Sequence, residues 1–174
     1  MEPHLAADNT WHVPSLRWLH AWRARLTFAV GDMNHLDFPP ESFDTAIATD
    51  TLYFGDLVAT IGRLKTILTP GGQLLAYYGH ILWHEDDDRA TLHPDRTPLG
   101  EALRANGLVY TAQDFTQAEA ARSRLSLETC HEMQAAFEAE GNAFIWENRR
   151  IEAEGNLGFI TSGRMTRYLY HARV

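Results

Sequence analysis

Apolar positions along the chain recur in two rhythms, and the switches between them mark out the elements. From Leu26 to Val30 a short apolar, β-branched run ends at Gly31-Asp32, and from Asp44 to Thr49 a second ends at Asp50. Both read as buried parallel strands. Asp56 is placed to cap a helix whose apolar residues Leu57, Ile61, Leu64 and Leu68 follow four- and three-residue steps along one face, until Thr69-Pro70-Gly71-Gly72 stops it. Gln73 to Tyr78 then reads as a third strand. The region 26–78 thus has the strand, helix, strand rhythm of a parallel sheet with helical crossovers.

Residues 1–14 show no periodicity and read as an arm, while Ser15 can cap a short helix carrying Leu16, Trp18, Leu19 and Trp22 toward one side. The chain therefore divides into an N-terminal arm with a short helix over 1–25 and a single larger portion over 26–174. Downstream, Thr97 stands as N-cap with Pro98 at the first helical position, Leu99, Ala102 and Leu103 apolar, and Gly107 just past the end. Leu108 to Phe115 suggests a strand. Thr116-Gln117-Ala118-Glu119 has the form of a capping box opening a long helix toward Gly141. A further helix spans Asn142 to Ser162, ended by Gly163, and Met165 to Ala172 alternates as a closing strand. There is no internal repeat and no low-complexity linker.

With 174 residues, 45% hydrophobic and 22% charged, the composition is that of one ordinary folded domain and excludes a disordered or membrane-spanning class. A net charge of −8 and a pI near 5.5 oppose the counterion release that drives binding to a phosphate backbone, so a small-molecule partner is expected and a nucleic acid is not. The N-terminus lacks a signal peptide's basic start and apolar run, and no segment approaches the ~20 apolar residues of a membrane span. A cytoplasmic location is expected. Cys130 is the only cysteine, so no intrachain disulfide forms, and it reads as an inert helix residue.

Two apparent metal sites carry little weight. In His84-Glu85-Asp86-Asp87-Asp88 consecutive carboxylates diverge around the backbone, as in a solvated loop. His131-Glu132 begins like a zinc-protease helix, but Ala135 stands where the second histidine ligand belongs. No metal is expected, and a metal hydrolase built on the acidic loop ranks last among the functions weighed.

Three segments carry a resemblance. Leu26-Thr-Phe-Ala-Val-Gly-Asp-Met33, Ser42-Phe-Asp-Thr-Ala-Ile-Ala-Thr-Asp-Thr-Leu-Tyr-Phe54 and Leu68-Thr-Pro-Gly-Gly-Gln-Leu-Leu-Ala-Tyr-Tyr-Gly79, in that order and spacing, resemble the second half of a class I S-adenosylmethionine (SAM) dependent methyltransferase domain. The tail through Asp114-Phe115-Thr116, Phe137 to Asn142 and Arg167-Tyr-Leu-Tyr-His171 resembles a bacterial branch of small-molecule methyltransferases. The resemblance implies an α/β fold: a Rossmann-like methyltransferase sheet, N-terminally truncated, with a helical insertion before the last strand. It also implies SAM as methyl donor. Asp32 matches the acid that accepts the adenine amino group and Met33 the backbone N–H to a ring nitrogen. Asp50, with Thr51 after it, falls near where methionine and substrate meet, although an isolated Asp there equally suits a helix-entry cap.

Ligands of open α/β sheets sit beyond the carboxyl ends of the strands, which makes Tyr53, Tyr77 and Tyr78 candidate substrate contacts and Tyr53 and His80 candidate catalytic residues. His80 can serve as general base to a hydroxyl acceptor because histidine titrates near neutrality. Aromatic core packing is the competing reading for each Tyr. The family's glycine-rich loop should lie upstream, yet the first glycine is Gly31. Impaired SAM binding is therefore expected, with a non-catalytic pseudoenzyme or partner subunit holding a small-ligand cleft as the alternative. In the family's strand order 3-2-1-4-5-7-6, loss of strands 1 and 2 would leave edges open. The strands at 26–30 and 44–49 are accordingly expected to pair directly, or the 44–49 edge to be covered by the N-terminal segment or by a partner such as a second copy of the chain.

Overall fold

The structure is a computed structural model that describes residues 26–28 and 30–174. It divides into two compact units, residues 1–32 and 33–174. Within the first, the described residues of the expected 26–30 strand carry no strand assignment, and Leu26, Phe28 and Val30 are exposed. This corrects the expectation of a strand over the described residues of 26–30: an apolar, β-branched composition does not by itself make a strand. The expected helix at 15–22, and any cover that residues before 26 give the sheet edge, lie outside the described residues.

The second unit is built on a four-stranded sheet. Strand β1 (Phe43–Thr49) is followed by helix α1 (Leu57–Ile67) and strand β2 (Leu68–Ile81), and two short 3-10 turns lead to α2 (Pro98–Ala105) and β3 (Val109–Asp114). The long helices α3 (Thr116–Ala139) and α4 (Ala143–Thr161) then precede β4 (Met165–Arg173). The strand order is β1-β2-β4-β3, with β1 parallel to β2 and β4 antiparallel to both of its neighbours. This is the expected mixed α/β sheet with a helical insertion before the last strand. Among the described residues β1 pairs only with β2, and Ile47 on it is 73% exposed.

Local chemistry explains most boundaries. Asp56 Oδ1 accepts the Ala59 N–H (3.1 Å) at the start of α1, and Thr97 Oγ1 accepts the Gly100 N–H (3.1 Å) at the start of α2, with Pro98 at the position that needs no donor. The Thr69 to Gly72 segment, expected as a turn, is the irregular beginning of β2. Pairing jumps there from Phe43↔Leu68 to Thr45↔Gln73, and Gly71 takes φ +80. The capping box at α3 does not form. Thr116 Oγ1 accepts the Arg167 N–H from β4 (3.0 Å), while Asp114 Oδ1 takes the Thr116 N–H (2.7 Å).

One sheet face carries the main core. Leu74, Ala76 and Tyr78 of β2 lie beside Tyr168, Tyr170 and Ala172 of β4, and Ile61, Leu99 and Leu103 from α1 and α2 close over them. The Tyr170 hydroxyl is bonded to Thr97 Oγ1 (2.6 Å) and donates to the Pro94 carbonyl (2.9 Å), so a buried polar group is satisfied inside the apolar layer. The other face carries a smaller cluster of Ala120, Ile160 and Met165 beneath the α3/α4 hairpin. Among the described residues no helix is long and apolar enough to cross a membrane.

Candidate active site at the strand ends

Where β1 ends, Asp50 takes a left-handed backbone conformation (φ 51), which Asp tolerates better than most residues, and its N–H still reaches the Tyr77 carbonyl (3.1 Å). The chain thus turns off the sheet with the carboxylate of Asp50 presented beyond the strand. Arg167 meets it from β4. Its Nη2 donates to Asp50 Oδ2 (3.1 Å) and its Nη1 to Asp50 Oδ1, a two-pronged guanidinium to carboxylate pair. Arg167 faces Gly79 in the β2/β4 register, and a Cβ at Gly79 would stand 2.7 Å from Arg167 Nη1. The missing side chain is what lets the guanidinium cross the strand.

Tyr53 completes the clamp. Its hydroxyl donates to Asp50 Oδ1 (2.9 Å) and accepts from the Gly79 N–H (2.8 Å) and Arg167 Nη1 (3.0 Å). It therefore takes the ladder donor that β1 no longer reaches. Burial raises the Tyr53 pKa above its ordinary value, against the lowering pull of the Gly79 hydrogen bond and the Arg167 charge. The phenol stays protonated. Its ring stacks on Tyr78 with centroids 4.9 Å apart, and the Arg167 guanidinium lies 5.0 Å from the centre of the Tyr77 ring.

Behind the clamp sits Glu119, whose side chain is 2% exposed. It accepts from Arg122 (2.5 and 3.1 Å) and from Asn156 Nδ2 (3.1 Å), and one of its oxygens lies 4.0 Å from Arg167 Nε. Burial by itself would raise the Glu119 pKa, but the bonds and charge of Arg122, with Arg167, hold it below the usual carboxylate range. Arg167 is likewise pulled two ways: burial lowers its pKa, and the Asp50 and Glu119 carboxylates outweigh that and raise it. Its Nε is buried without a hydrogen-bond partner.

The sign of the Glu119 shift sets a pH test. A carboxyl whose pKa is depressed by folding contributes stability that is present above its unfolded value of about 4.3 and is lost as pH falls through the folded value. Urea titrations of the wild type should therefore lose stability more steeply below about pH 4.3 than those of Glu119→Gln, which has no proton to gain. Parallel curves would exclude a buried, ionised Glu119.

The clamp borders a cavity of ≈ 250 Å³ lined by Asp50, Tyr53, Glu152, Asn156, Met165 and Arg167. Of the residues expected from the sequence, the structure brings together Asp50, Tyr53 and, through Arg167, Tyr77. Tyr78 is buried in the main core, backing Tyr53, with its phenol pushed up to about 12 by burial. His80 points to the opposite sheet face from Gly79. There its Nε2 meets Thr91 Oγ1 (3.1 Å) at a second cavity of ≈ 320 Å³ that also holds Asp87, Arg96 and Glu101. Burial lowers the His80 pKa, partly offset by Asp87. Asp32 and Thr51 are exposed, and Met33 is half-buried against the main core.

Among the described residues no group of three or more His, Cys, Asp or Glu is placed to hold a metal ion. In the acidic loop the carboxylates are engaged locally: Asp87 accepts the His84 N–H (2.8 Å) and Asp88 the Ala90 N–H (2.9 Å). Sequence reasoning missed Arg167, Glu119, Arg122 and Asn156. A signal for Arg167 existed, a charged residue at the same alternation parity as the apolar Met165 and Leu169.

Residues 12–76 match the family profile described as a methyltransferase domain. No curated protein sequence matches the chain. Among solved structures, phosphoethanolamine N-methyltransferase 2 of Haemonchus contortus, in complex with phosphomonomethylethanolamine and S-adenosylhomocysteine, superposes with a TM-score of 0.72 at 18% identity, over 94% of this chain and 41% of that one. A putative sarcosine dimethylglycine methyltransferase from Galdieria sulphuraria gives 0.72 at 11% identity, over 98% of this chain and 66% of that one. The cyclase SpnF gives 0.67 at 17%, over 97% and 64%. The chain spans between 41% and 66% of the length of these proteins. At such identities the likeness is one of fold, and that fold is Rossmann-like. The profile match over residues 12–76 and the likeness of fold both agree with the methyltransferase resemblance drawn from the sequence.

Proposed function

We propose that this chain, which carries the fold and part of the domain signature of class I SAM-dependent methyltransferases, acts in methyl transfer from SAM to a small molecule. The observation that supports this reading most is the Arg167, Asp50 and Tyr53 clamp at the carboxyl ends of the first two strands, where an open α/β sheet takes its ligand. The cofactor supplies a methyl group on a cationic sulfur, and the protein's part is to orient the partners and exclude water. SAM ends in an amino-acid zwitterion. The cavity offers carboxylates and a guanidinium, a set of charged groups that fits that end, while its ≈ 250 Å³ suits only a part of the cofactor.

In this reading Asp50, with Thr51 beside it, receives the methionine end, and Asp32 and Met33 keep the adenine contacts that the resemblance implies. Tyr53, protonated, orients Asp50 and acts as a donor and not as a base; Tyr77 forms the aromatic wall. His80, whose pKa burial lowers, stays the candidate base for a hydroxyl acceptor that reaches its own cavity on the other sheet face, where its Nε2 already meets Thr91 Oγ1. Turnover unchanged by His80→Ala would remove it from that role.

A second reading is favoured by one observation: the Asp50 carboxylate is already engaged by two Arg167 bonds and the Tyr53 hydroxyl, as in a site closed for structure and not open for a ligand. The chain would then be a non-catalytic partner subunit, and the β1 edge a route to pairing with a second copy. Titration calorimetry with SAM separates the two. Among the 174 residues no glycine precedes Gly31 to form the turn that would cradle methionine and ribose, so in this reading SAM binding is weak. Saturable binding supports the enzyme, and no heat at millimolar SAM assigns the chain to the second reading.

A further inference from the structure

The α3/α4 hairpin holds a cavity that the strand-end site does not use. It is an open groove of ≈ 340 Å³, at the small end of the range for small-molecule pockets, and its walls are mostly apolar. Leu125, Met133 and Phe137 line it from α3 and Trp146 from α4, whose indole N–H donates to the Cys130 carbonyl (2.5 Å) and so holds the ring against the facing helix. The charged groups in the lining are both cations, Arg122 and Arg149.

The order of these residues along the two helices gives the groove a polarity. Arg122 lies in the second turn of α3, near the sheet, whereas Phe137 lies in its last turn beside the Gly141 bend. Arg149 stands across from the middle of α3, on the sheet side of Trp146. One end of the groove is therefore cationic and the other apolar. Each arginine has a carboxylate partner outside the lining, Glu119 for Arg122 (2.5 Å) and Glu152 for Arg149 (2.8 Å), which hold the side chains in place. A guanidinium carries five N–H donors, and these bonds use two on Arg122 and one on Arg149. The remaining donors are available to an anion in the groove.

We propose that this groove binds a small amphipathic anion, an alkyl or similar apolar body with one carboxylate or phosphate head, the head between Arg122 and Arg149 and the tail toward Phe137. The site goes beyond the methyl-transfer reading and does not depend on it.

Titration calorimetry of the full chain without SAM tests the site, with decanoate, decyl phosphate and decanol as probes. Saturable binding of at least one of the anions, with decanol about tenfold weaker or more, is expected, since a charge-assisted contact separates them. Comparison of the two anions identifies the head: stronger binding of decanoate assigns a carboxylate, of decyl phosphate a phosphate. Arg149→Gln and Leu125→Glu alter exposed positions of the hairpin, so helix content measured by circular dichroism should be kept while anion binding weakens fivefold or more, a typical consequence of losing or opposing one charged contact. Equal binding of decanol and the anions, no binding of any probe, or no response to either substitution would overturn the proposal. So would self-association of the chain that Leu125→Glu abolishes, which would make the groove a protein interface. Because no measurement involves SAM or turnover, failure here is distinct from failure of the methyltransferase reading.

Discussion

Arg167→Met should lower the unfolding free energy by about 3 kcal/mol, at the low end of the 3 to 5 expected for removing one partner of a buried ion pair. The side chain is 9% exposed and stands between two carboxylates, Asp50 and the nearly inaccessible Glu119. Methionine fills much of the volume but leaves Glu119 with Arg122 as its remaining cationic partner, and releases Asp50 and the Tyr53 hydroxyl from their shared donor. Asp50 can recover water, because its side chain is 40% exposed, and that is why the effect stays at the lower bound. Arg167→Lys keeps the charge and loses the fork, so it should recover only part of the loss. Urea denaturation measures both, and a loss under about 1 kcal/mol would mean that the clamp is a solvent-screened surface pair. The same substitution frees Asp50, so a comparison of SAM binding before and after it reports whether the clamp closes the site or shapes it.

Leu103→Ala should cost about 2 to 5 kcal/mol, because it empties a fully buried position in a core that has little room to collapse. Leu103 is inaccessible between the sheet and α2, next to Leu99 and Ala102, which are equally buried. The helix itself tolerates the change, since alanine is the best helix former, so the loss belongs to packing and not to propensity. A shift of the urea midpoint with an unchanged slope is the expected signature. A cost below about 1 kcal/mol would show that α2 does not close the core as the structure has it.

These two positions stand at opposite ends of what could be read beforehand. Leu103 was legible: the Thr97-Pro98 start, the apolar spacing and Gly107 define α2 with local signals alone, and the structure repeats them as an N-cap bond, a helix over Pro98–Ala105 and φ +67 at Gly107. Asp56 at the start of α1 and the alternation in β4 are of the same kind. Arg167 was legible only as a charge at the parity of Met165 and Leu169, and its role was not. It looked like one residue of an alternating strand, and its partners Asp50 and Glu119 lie 117 and 48 positions away in the chain. Glu119 was misread for the same reason, since Thr-x-x-Glu is a sound local motif until a strand far away claims the threonine hydroxyl.

The amino-acid order alone determined most elements from Asp44 onward, the caps of α1 and α2, the α/β class and the family resemblance, because turn chemistry and hydrophobic period act over a few residues. Only the tertiary structure decided that Tyr78 is core while Tyr53 joins a charged clamp, that His80 opens on the other sheet face, and that the described residues of 26–30 form no strand. Each of those outcomes depends on which neighbour the sheet brings alongside, through strand order, register and the alternation of faces, and pairing between distant segments leaves no local mark in the chain.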